Sequence, residues 1–183
     1  MNQPLSEGGT QGDFSADNRV GKQEGSRTAN QTQIDRIQTG FEYLRVVRFQ
    51  ETDAAGVVYF ANLLSLCHEA YEASLAEAGI DLTTFFSKEN GIAVPIVHTE
   101  ADFHKPLRCG DRISIHLYPV QLKPHSFEIY YTVRCLGREE KAGSQRPVAT
   151  ALTIHVCIDS TSQKVKDVSP DLLHWIERTR TLP

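Results

Sequence analysis

The stretch RFQETDAAGVVYFAN, residues 48–62, joins a predicted strand to a predicted helix. It places one acid, Asp53, in a turn of small residues just before the helix begins. A carboxylate in this position can act as a general base or as a nucleophile, and free amides at a helix start can stabilise a developing oxyanion. Because Asp is also common in plain turns, the stretch by itself leaves a catalytic and a structural role open.

The residues on either side of this stretch predict the elements that hold it. A strand is predicted over residues 41–50, which carry Tyr43, Val46, Val47 and Phe49. A loop follows over residues 51–58. From Phe60 the spacing becomes helical, and the predicted apolar stripe consists of Leu63, Leu66, Cys67, Ala70, Tyr71, Leu75 and Ala78. Gly79 is a natural stop for this long helix.

Beyond the helix, the sequence predicts a sheet. After a short connector, four strand-like runs follow at residues 92–103, 112–121, 126–135 and 147–158. The turns between them are too short for parallel crossovers, so most of the sheet is expected to be antiparallel. Residues 169–171, Ser-Pro-Asp, can cap a last helix. The sequence therefore predicts an α+β fold, with an antiparallel sheet wrapped around one long helix.

Composition limits the classes of function. With 183 residues, 40% of them hydrophobic and 23% charged, the chain suits one globular domain. The net charge of −4 argues against a nucleic-acid partner, and no apolar run reaches the roughly 18 residues of a membrane span. The first residues carry no apolar segment of the signal-peptide kind, so a cytoplasmic location is expected. The four cysteines form no Cys-x-x-Cys pair, which predicts free thiols rather than a disulfide framework or a zinc site.

The chain divides into two parts by composition. Residues 1–38 are rich in Gln, Gly, Ser, Asn, Thr and Asp and contain few large apolar side chains. Such a segment cannot bury enough surface to offset its ordering entropy, so we expect a disordered tail. A transit peptide is a weaker alternative because the segment carries several acids. Residues 39–183 are expected to form the folded domain.

The run from Asp53 to Asn62 resembles the signature of the hotdog-fold thioesterases of the 4-hydroxybenzoyl-CoA type. Further blocks are similar to the cyanobacterial 1,4-dihydroxy-2-naphthoyl-CoA hydrolases of phylloquinone synthesis, namely residues 67–72, 95–98, 109–112 and 155–158. The resemblance covers about residues 41–160. It implies a hotdog fold and hydrolysis of 1,4-dihydroxy-2-naphthoyl-CoA to 1,4-dihydroxy-2-naphthoate and CoA. A thioesterase of broader aryl- or acyl-CoA range and a non-catalytic acyl-CoA-binding hotdog protein are the alternatives.

The resemblance implies a role for several residues of the opening stretch. Asp53 takes the position of the catalytic carboxylate, as nucleophile or as general base. Gly56 would let the backbone approach the substrate, or would only shape the turn. The backbone amides of Tyr59 and Phe60 would be the oxyanion donors, and plain core aromatics are the alternative for their side chains. Phe60 stands where the Tol-Pal-associated branch carries a His, which favours a mechanism centred on Asp53. Glu69, on the helix, is either an alternative acid of the kind used by another branch or a solvated surface residue.

Substrate-binding residues are implied further along the chain. His98 lies where family members line the acyl pocket and can hydrogen-bond a naphthoyl hydroxyl, or it is a satisfied strand histidine. Lys123, His125 and Ser126 match the position at which the 4-hydroxybenzoyl enzymes contact the CoA phosphates. Pro124 interrupts the basic run there and leaves Lys123 as the stronger candidate. A second possible cation cluster consists of Lys105, Arg108 and Arg112. For each of these cations, a plain solvated surface charge is the alternative to a phosphate contact.

The resemblance also implies the partners. The substrate is an acyl-CoA, and no cofactor is expected. No metal is expected either, because the His and acidic residues show no ligand spacing. Family members pair two protomers so that their sheets become continuous, with two sites at the shared interface. We therefore expect a homo-oligomer, a dimer or a tetramer, and no nucleic-acid or membrane partner.

Overall fold

The computed structural model describes residues 40–137 and 146–181. The predicted disordered tail, residues 1–38, lies outside these residues. Within the described ranges, no helix combines the length and the apolar character that a membrane span requires.

The described chain begins with strand β1, Phe41–Val46. The prediction of a strand reaching residue 50 was too long, because Phe49–Glu51 forms a 3₁₀ turn. The Glu51 carboxylate accepts the backbone N–H of Arg48 at 2.7 Å, which holds the turn together. The chain therefore changes direction before it enters the segment that contains Asp53.

The long helix predicted from the sequence is confirmed as α1, Phe60–Glu77. Its buried stripe follows the predicted helical period and consists of Leu63, Leu66, Cys67, Ala70, Tyr71, Ser74 and Leu75. Gly79 has a φ of +87°, a left-handed conformation that favours glycine just beyond a helix end. One further helical turn, α2 (Leu82–Phe85), lies in the predicted connector.

The main sheet carries every long strand after the helix. These strands are β3 (Ile96–Phe103), β4 (Arg112–Lys123), β5 (Ser126–Leu136) and β6 (Ala149–Val156). Among the described residues, the sheet has five strands in the order β1-β4-β5-β6-β3, and all of the pairings are antiparallel. The antiparallel sheet expected from the short turns is confirmed, with β1 and β3 at its edges.

Two of the predicted strand runs each break into two strands. The short pieces, β2 (Ile92–Ala93) and β7 (Ile158–Asp159), pair with each other in a separate small sheet. Pro95 lacks the N–H that a continuous strand would need. Cys157 donates its N–H to the His125 carbonyl at 2.9 Å. Both runs therefore leave the main sheet at the same end.

The core lies between α1 and one face of the main sheet. The sheet contributes the buried side chains of Ile113, Ile115, Leu117, Phe127, Ile129, Tyr131, Val133, Ala149 and Ala151. The last helix, α3 (Pro170–Thr181), adds Leu172, Trp175 and Ile176. The Trp175 Nε1–H donates to Ser74 Oγ on α1 at 3.1 Å, so the largest core side chain is also satisfied as a donor. These layers confirm the predicted α+β arrangement.

His155 is a titratable residue inside this core. Its ring stacks on Phe127 with centroids 4.8 Å apart, and its Nε2 lies 2.9 Å from Thr153 Oγ1. Burial lowers the pKa of His155 to about 4, because a charged imidazolium is poorly solvated there. The side chain is therefore neutral in the folded protein near neutral pH.

We expect that replacing His155 with Gln makes the stability less sensitive to acid. The folded-state pKa of about 4 lies below the ordinary value of about 6.5. The unfolded chain binds more protons between these values, so stability falls as the pH drops through this range. Between about pH 7 and about pH 4, the wild type should lose about 3 kcal/mol more unfolding free energy than H155Q. Urea denaturation across this range measures the difference, and equal losses in the two proteins would contradict the expectation.

Candidate active site

The Asp53 loop, defined as residues 52–58, is closed by its own backbone. Asp53 donates its N–H to the Val57 carbonyl at 2.8 Å, and Gly56 donates its N–H to the Asp53 carbonyl at 2.9 Å. The two ends of the loop face each other in an isolated β-bridge. The position of Asp53 is therefore set by a tight turn rather than by a long mobile connection.

One oxygen of the Asp53 carboxylate is fixed and the other is available. Oδ1 accepts the Ala55 N–H at 2.8 Å, the local bond typical of an Asp in a turn. Oδ2 has no hydrogen-bond partner within residues 40–137 and 146–181, and Asp53 is exposed. The loop therefore orients the carboxylate and leaves one oxygen for a ligand.

Gly56 is required by the backbone of this loop. Its φ is +72°, a region that L side chains rarely adopt. A Cβ built on Gly56 would meet no atom within 4 Å, so crowding by the described protein atoms is not the reason for a glycine. The geometry supports the turn-shaping role of Gly56.

The start of α1 leaves two amides unpaired. Tyr59 is the N-cap residue, and its side chain forms no cap hydrogen bond. The Tyr59 N–H donates to the Glu51 carbonyl at 2.9 Å, and the Asn62 N–H donates to the Tyr59 carbonyl at 2.8 Å. The two amides between them, those of Phe60 and Ala61, have no acceptor in the described part of the chain. The Tyr59 amide is thus occupied, and the donors left for an oxyanion are those of Phe60 and Ala61.

The side chains at the helix start lie outside the core. Phe60 is 63% exposed and Tyr59 is 44% exposed, and their ring centroids are 4.6 Å apart. An exposed aromatic pair beside an available carboxylate can pack against an apolar ligand or a second protein surface. These rings are therefore not core aromatics.

A cavity of about 330 Å³ lies beside the Asp53 loop. Its apolar wall consists of Val57, Val58, Leu63, Phe103, Pro106, Leu107 and Ala149, and its polar groups come from His104 and Lys105. Both of these residues donate their backbone N–H to the Val148 carbonyl, at 2.9 and 3.1 Å, which fixes their position beside the cavity. Lys105 was predicted only as a member of a possible cation cluster for the CoA phosphates, and the cavity beside it was not predicted. No local sequence pattern distinguishes the segment around His104 and Lys105 from an ordinary strand end.

His98 lies away from this cavity. It pairs in register with Ile154, one position from the buried Thr153, and side chains alternate between the two faces of a sheet. His98 therefore projects from the face opposite α1. Its Nε2 lies 3.1 Å from Glu100 Oε1 on the same strand, so its partner in this chain is a carboxylate.

Lys123, His125 and Ser126 lie at the other end of the main sheet. The Asp53 loop adjoins the beginning of β4, because Val58 donates its N–H to the Leu107 carbonyl at 2.8 Å. Lys123 is the last residue of the same strand, and His125 lies in the turn that follows it, here called the Lys123 turn. A strand of 12 residues spans roughly 35 Å. One chain therefore does not bring Asp53 and the Lys123 turn together.

Glu69 has structural partners. The Tyr43 hydroxyl donates to its Oε1 at 2.7 Å, a bond that raises the pKa of Tyr43. The Arg45 guanidinium forms an ion pair with its Oε2. Glu69 therefore holds α1 to β1, which favours the structural interpretation over that of an alternative catalytic acid. Among the described residues, no group of three or more His, Cys, Asp or Glu side chains is arranged to hold a metal ion.

The fold and the site define a class of protein. An antiparallel sheet packed on one long helix is the architecture of the hotdog-fold thioesterases. The profile of the Thioesterase-like superfamily matches residues 47–176. The chain belongs to this superfamily, and it is a thioester hydrolase.

Several relatives are similar over most of their length. The chain is 48% identical over 134 residues to a 1,4-dihydroxy-2-naphthoyl-CoA hydrolase of Crocosphaera subtropica, a match that covers 73% of this chain and 93% of the relative. A hydrolase with the same name from Synechococcus elongatus is 43% identical, with 76% and 96% covered. The crystal structure of a 1,4-dihydroxy-2-naphthoyl-CoA thioesterase from Synechocystis superposes with a TM-score of 0.66 at 36% identity. It covers 74% of this chain and 94% of that one.

Replacing Gly56 with Ala should impair hydrolysis more than it impairs folding. Gly91 is a matched control, because its φ is +71° and a Cβ there also meets no atom within 4 Å. Each alanine should cost about 1–2 kcal/mol of unfolding free energy through the left-handed conformation. Only G56A should also lose most thioester turnover, because it shifts Asp53. Denaturant unfolding and thiol-release assays measure the two effects, and equal turnover in the two variants would count against the role of the loop.

Proposed function

We propose that this protein hydrolyses 1,4-dihydroxy-2-naphthoyl-CoA to 1,4-dihydroxy-2-naphthoate and CoA. One observation carries the proposal. Asp53 has an available carboxylate oxygen, and the helix that follows its loop begins with two unpaired amides. The names of relatives that are 43–48% identical support this particular substrate. The proposal includes the cytoplasmic location expected from the sequence, which cell fractionation tests.

In the proposed reaction, the thioester carbonyl oxygen accepts from the amides of Phe60 and Ala61. These amides carry the positive end of the helix dipole and stabilise the charge that develops on the oxygen. Asp53 either adds to the carbonyl carbon or removes a proton from the water that adds to it. If water adds, the carbon–sulfur bond then breaks, CoA leaves as its thiolate and the acyl group becomes the carboxylate product. If Asp53 adds, the same bond cleavage leaves a mixed anhydride between Asp53 and the acyl group, which a water molecule then hydrolyses to the carboxylate and free Asp53. A donor of this type contributes about 3 kcal/mol in comparable sites.

The cavity beside the Asp53 loop suits the aromatic acyl group. Its wall is mainly apolar, and its volume of about 330 Å³ lies within the range of small-molecule pockets. His104 and Lys105 supply the polar groups in the same cavity, where ring hydroxyls would need partners. We propose that the naphthoyl ring occupies this space and that Phe60 covers it from outside.

Replacing Asp53 with Asn should remove most of the turnover and leave the fold intact. Asn keeps the local bond to the Ala55 amide but cannot act as a nucleophile or a base at neutral pH. Asp159 is the matched control, because it is another turn acid that accepts an amide two residues on, from Thr161 at 3.2 Å. D53N should lose at least about a hundredfold in kcat, and D159N should retain it.

The measurement is thiol release from 1,4-dihydroxy-2-naphthoyl-CoA beside benzoyl, phenylacetyl and fatty acyl thioesters. Wild-type turnover by D53N on the best substrate would overturn the catalytic assignment. Equal efficiency on all of these thioesters would leave a hydrolase of broad range and overturn the naphthoyl assignment.

We further propose that the working unit contains at least two chains. The Asp53 loop and the Lys123 turn lie at opposite ends of the main sheet, so a site that uses both needs a second protomer. Strand β3 is an edge of that sheet and exposes Ile96, Val97 and Phe103. An edge strand with apolar side chains favours pairing with another copy.

The geometry of such a pairing favours a shared site. If two β3 strands pair antiparallel about a two-fold axis, the end of one strand lies beside the beginning of the other. The Asp53 loop is near the end of β3, and the Lys123 turn is near its beginning. Each Asp53 would then lie on the side of the interface that carries the partner's Lys123, where the CoA phosphates would bind. The association of two such dimers into a tetramer stays a prediction.

Mixing two impaired variants should restore activity if the site is shared. D53N lacks the acid, and K123E should raise KM by about tenfold through loss of a phosphate contact. In a mixed dimer, one site receives the wild-type Asp53 of one chain and the wild-type Lys123 of the other. At substrate concentrations below KM, an equal mixture refolded together should recover about a quarter of wild-type activity. Recovery no greater than the residual activity of K123E, or a monomer by light scattering, would contradict the shared site.

A further inference from the structure

The Glu51 carbonyl joins the two sides of the Asp53 loop. It accepts the Tyr59 N–H at 2.9 Å and the side-chain Nδ2–H of Asn62 at 2.9 Å. Asn62 also donates its backbone N–H to the Tyr59 carbonyl at 2.8 Å. These three bonds form a closed ring between the residue that precedes the loop and the first turn of α1.

Glu51 is itself anchored on the sheet. Its carboxylate forms an ion pair with Arg45 of β1 and accepts the Arg48 N–H at 2.7 Å. The Arg45 side chain is only 10% exposed and also contacts Glu69 on α1. Because charged groups with so little contact with water depend on their partners, this arrangement resists movement. The Glu51 carbonyl is therefore a fixed point from which the helix start is held.

The Asn62 side chain stabilises the first turn of α1, as an ordinary N-cap residue would, but through a different hydrogen bond. A Ser, Thr, Asp or Asn at the N-cap accepts an amide of the first turn and so stabilises it. Tyr59 provides no such bond. Asn62 instead fixes the turn by donating its side-chain N–H outward to Glu51, which consumes no amide of the turn. The first turn is held while the amides of Phe60 and Ala61 stay unpaired.

We propose that Asn62 is a positioning residue for thioester hydrolysis, which fixes the Phe60 and Ala61 amides relative to Asp53. This inference rests on the proposed function, because hydrolysis is its readout. Oxyanion donors act only when they lie within hydrogen-bond distance of the oxygen in the transition state. A displacement of about 1 Å can cost about a hundredfold in rate. Asn62 acts through these backbone groups and needs no contact with the substrate.

The test compares two asparagines that make the same kind of bond. Asn90 donates its Nδ2–H to the Phe85 carbonyl at 3.1 Å, away from the Asp53 loop, so N90A is the matched control for N62A. N62A should lose about tenfold in kcat, with KM changed by less than about twofold, because the amides act in the transition state rather than in substrate binding. N90A should keep its kcat, and the two variants should show similar losses of thermal stability.

Three outcomes would overturn the positioning role of Asn62. The first is a wild-type kcat in N62A, and the second is an equal loss of kcat in N90A. The third is a rise in KM at unchanged kcat, which would make Asn62 a binding residue. If N62A does not fold, N62D replaces it, since Asp has the same size and lacks the donor. The two hypotheses fail separately: absence of thiol release from 1,4-dihydroxy-2-naphthoyl-CoA by the wild type defeats the proposed function, whereas a negative result with N62A defeats only this inference.

Discussion

The burial of one stripe of α1 against the main sheet is the constraint on which the other features depend. Leu63, Leu66 and Leu75 are almost fully buried, and each contributes about 1.5–3 kcal/mol relative to an exposed position. With its stripe fixed, α1 can neither rotate nor slide without exposing these side chains. Its first turn is thereby placed beside the beginning of β4 and the end of β3. The position of the candidate site follows from helix packing before any polar contact is considered.

The helix start combines local instability with firm support. An N-cap without a suitable side chain costs about 1 kcal/mol of helix stability, and Tyr59 occupies that position. The structure compensates through contacts outside the helix: the ring through the Glu51 carbonyl, and the Arg45 ion pairs behind it. Unsatisfied groups held in place by their surroundings are typical of functional sites. The contacts outside the helix therefore hold the first turn of α1 in place, although two of its amides have no acceptor among the described residues.

The sequence predicts those features that depend on local periodicity or on chain order. The α1 stripe repeats at helical spacing, and β5 carries Phe127, Ile129, Tyr131 and Val133 at alternate positions, so both could be recognised without a structure. The break before β3 was missed although Pro95 was visible, because apolar residues on both sides favour one continuous strand. The 3₁₀ turn at Phe49–Glu51 was missed for a similar reason, since Phe49 by itself favours a strand.

The site was predictable to the extent that it is local. Asp53 and Phe60 belong to one continuous motif, and the structure places both at the same loop and helix start. The occupied amide of Tyr59 could not be predicted, because its acceptor, Glu51, lies across a loop whose closure is a tertiary property. Nor could the position of Lys123 relative to Asp53 be predicted, since it depends on the contact between Val58 of the Asp53 loop and Leu107, which precedes β4, and that contact is also a tertiary property. A sequence motif does not by itself show at which end of the sheet each of its residues lies.

The separation of Asp53 and Lys123 is itself informative about assembly. Loop and turn contacts within one chain join neighbouring strand ends, so they do not bring together residues at opposite ends of a sheet. A second copy that extends the sheet in the reverse direction would do so. The edge that would be extended, β3, exposes Val97 to 59%, an unfavourable feature for an isolated sheet edge. The separation of these two candidate site residues and the exposed edge are independent observations, and the proposed antiparallel pairing would account for both.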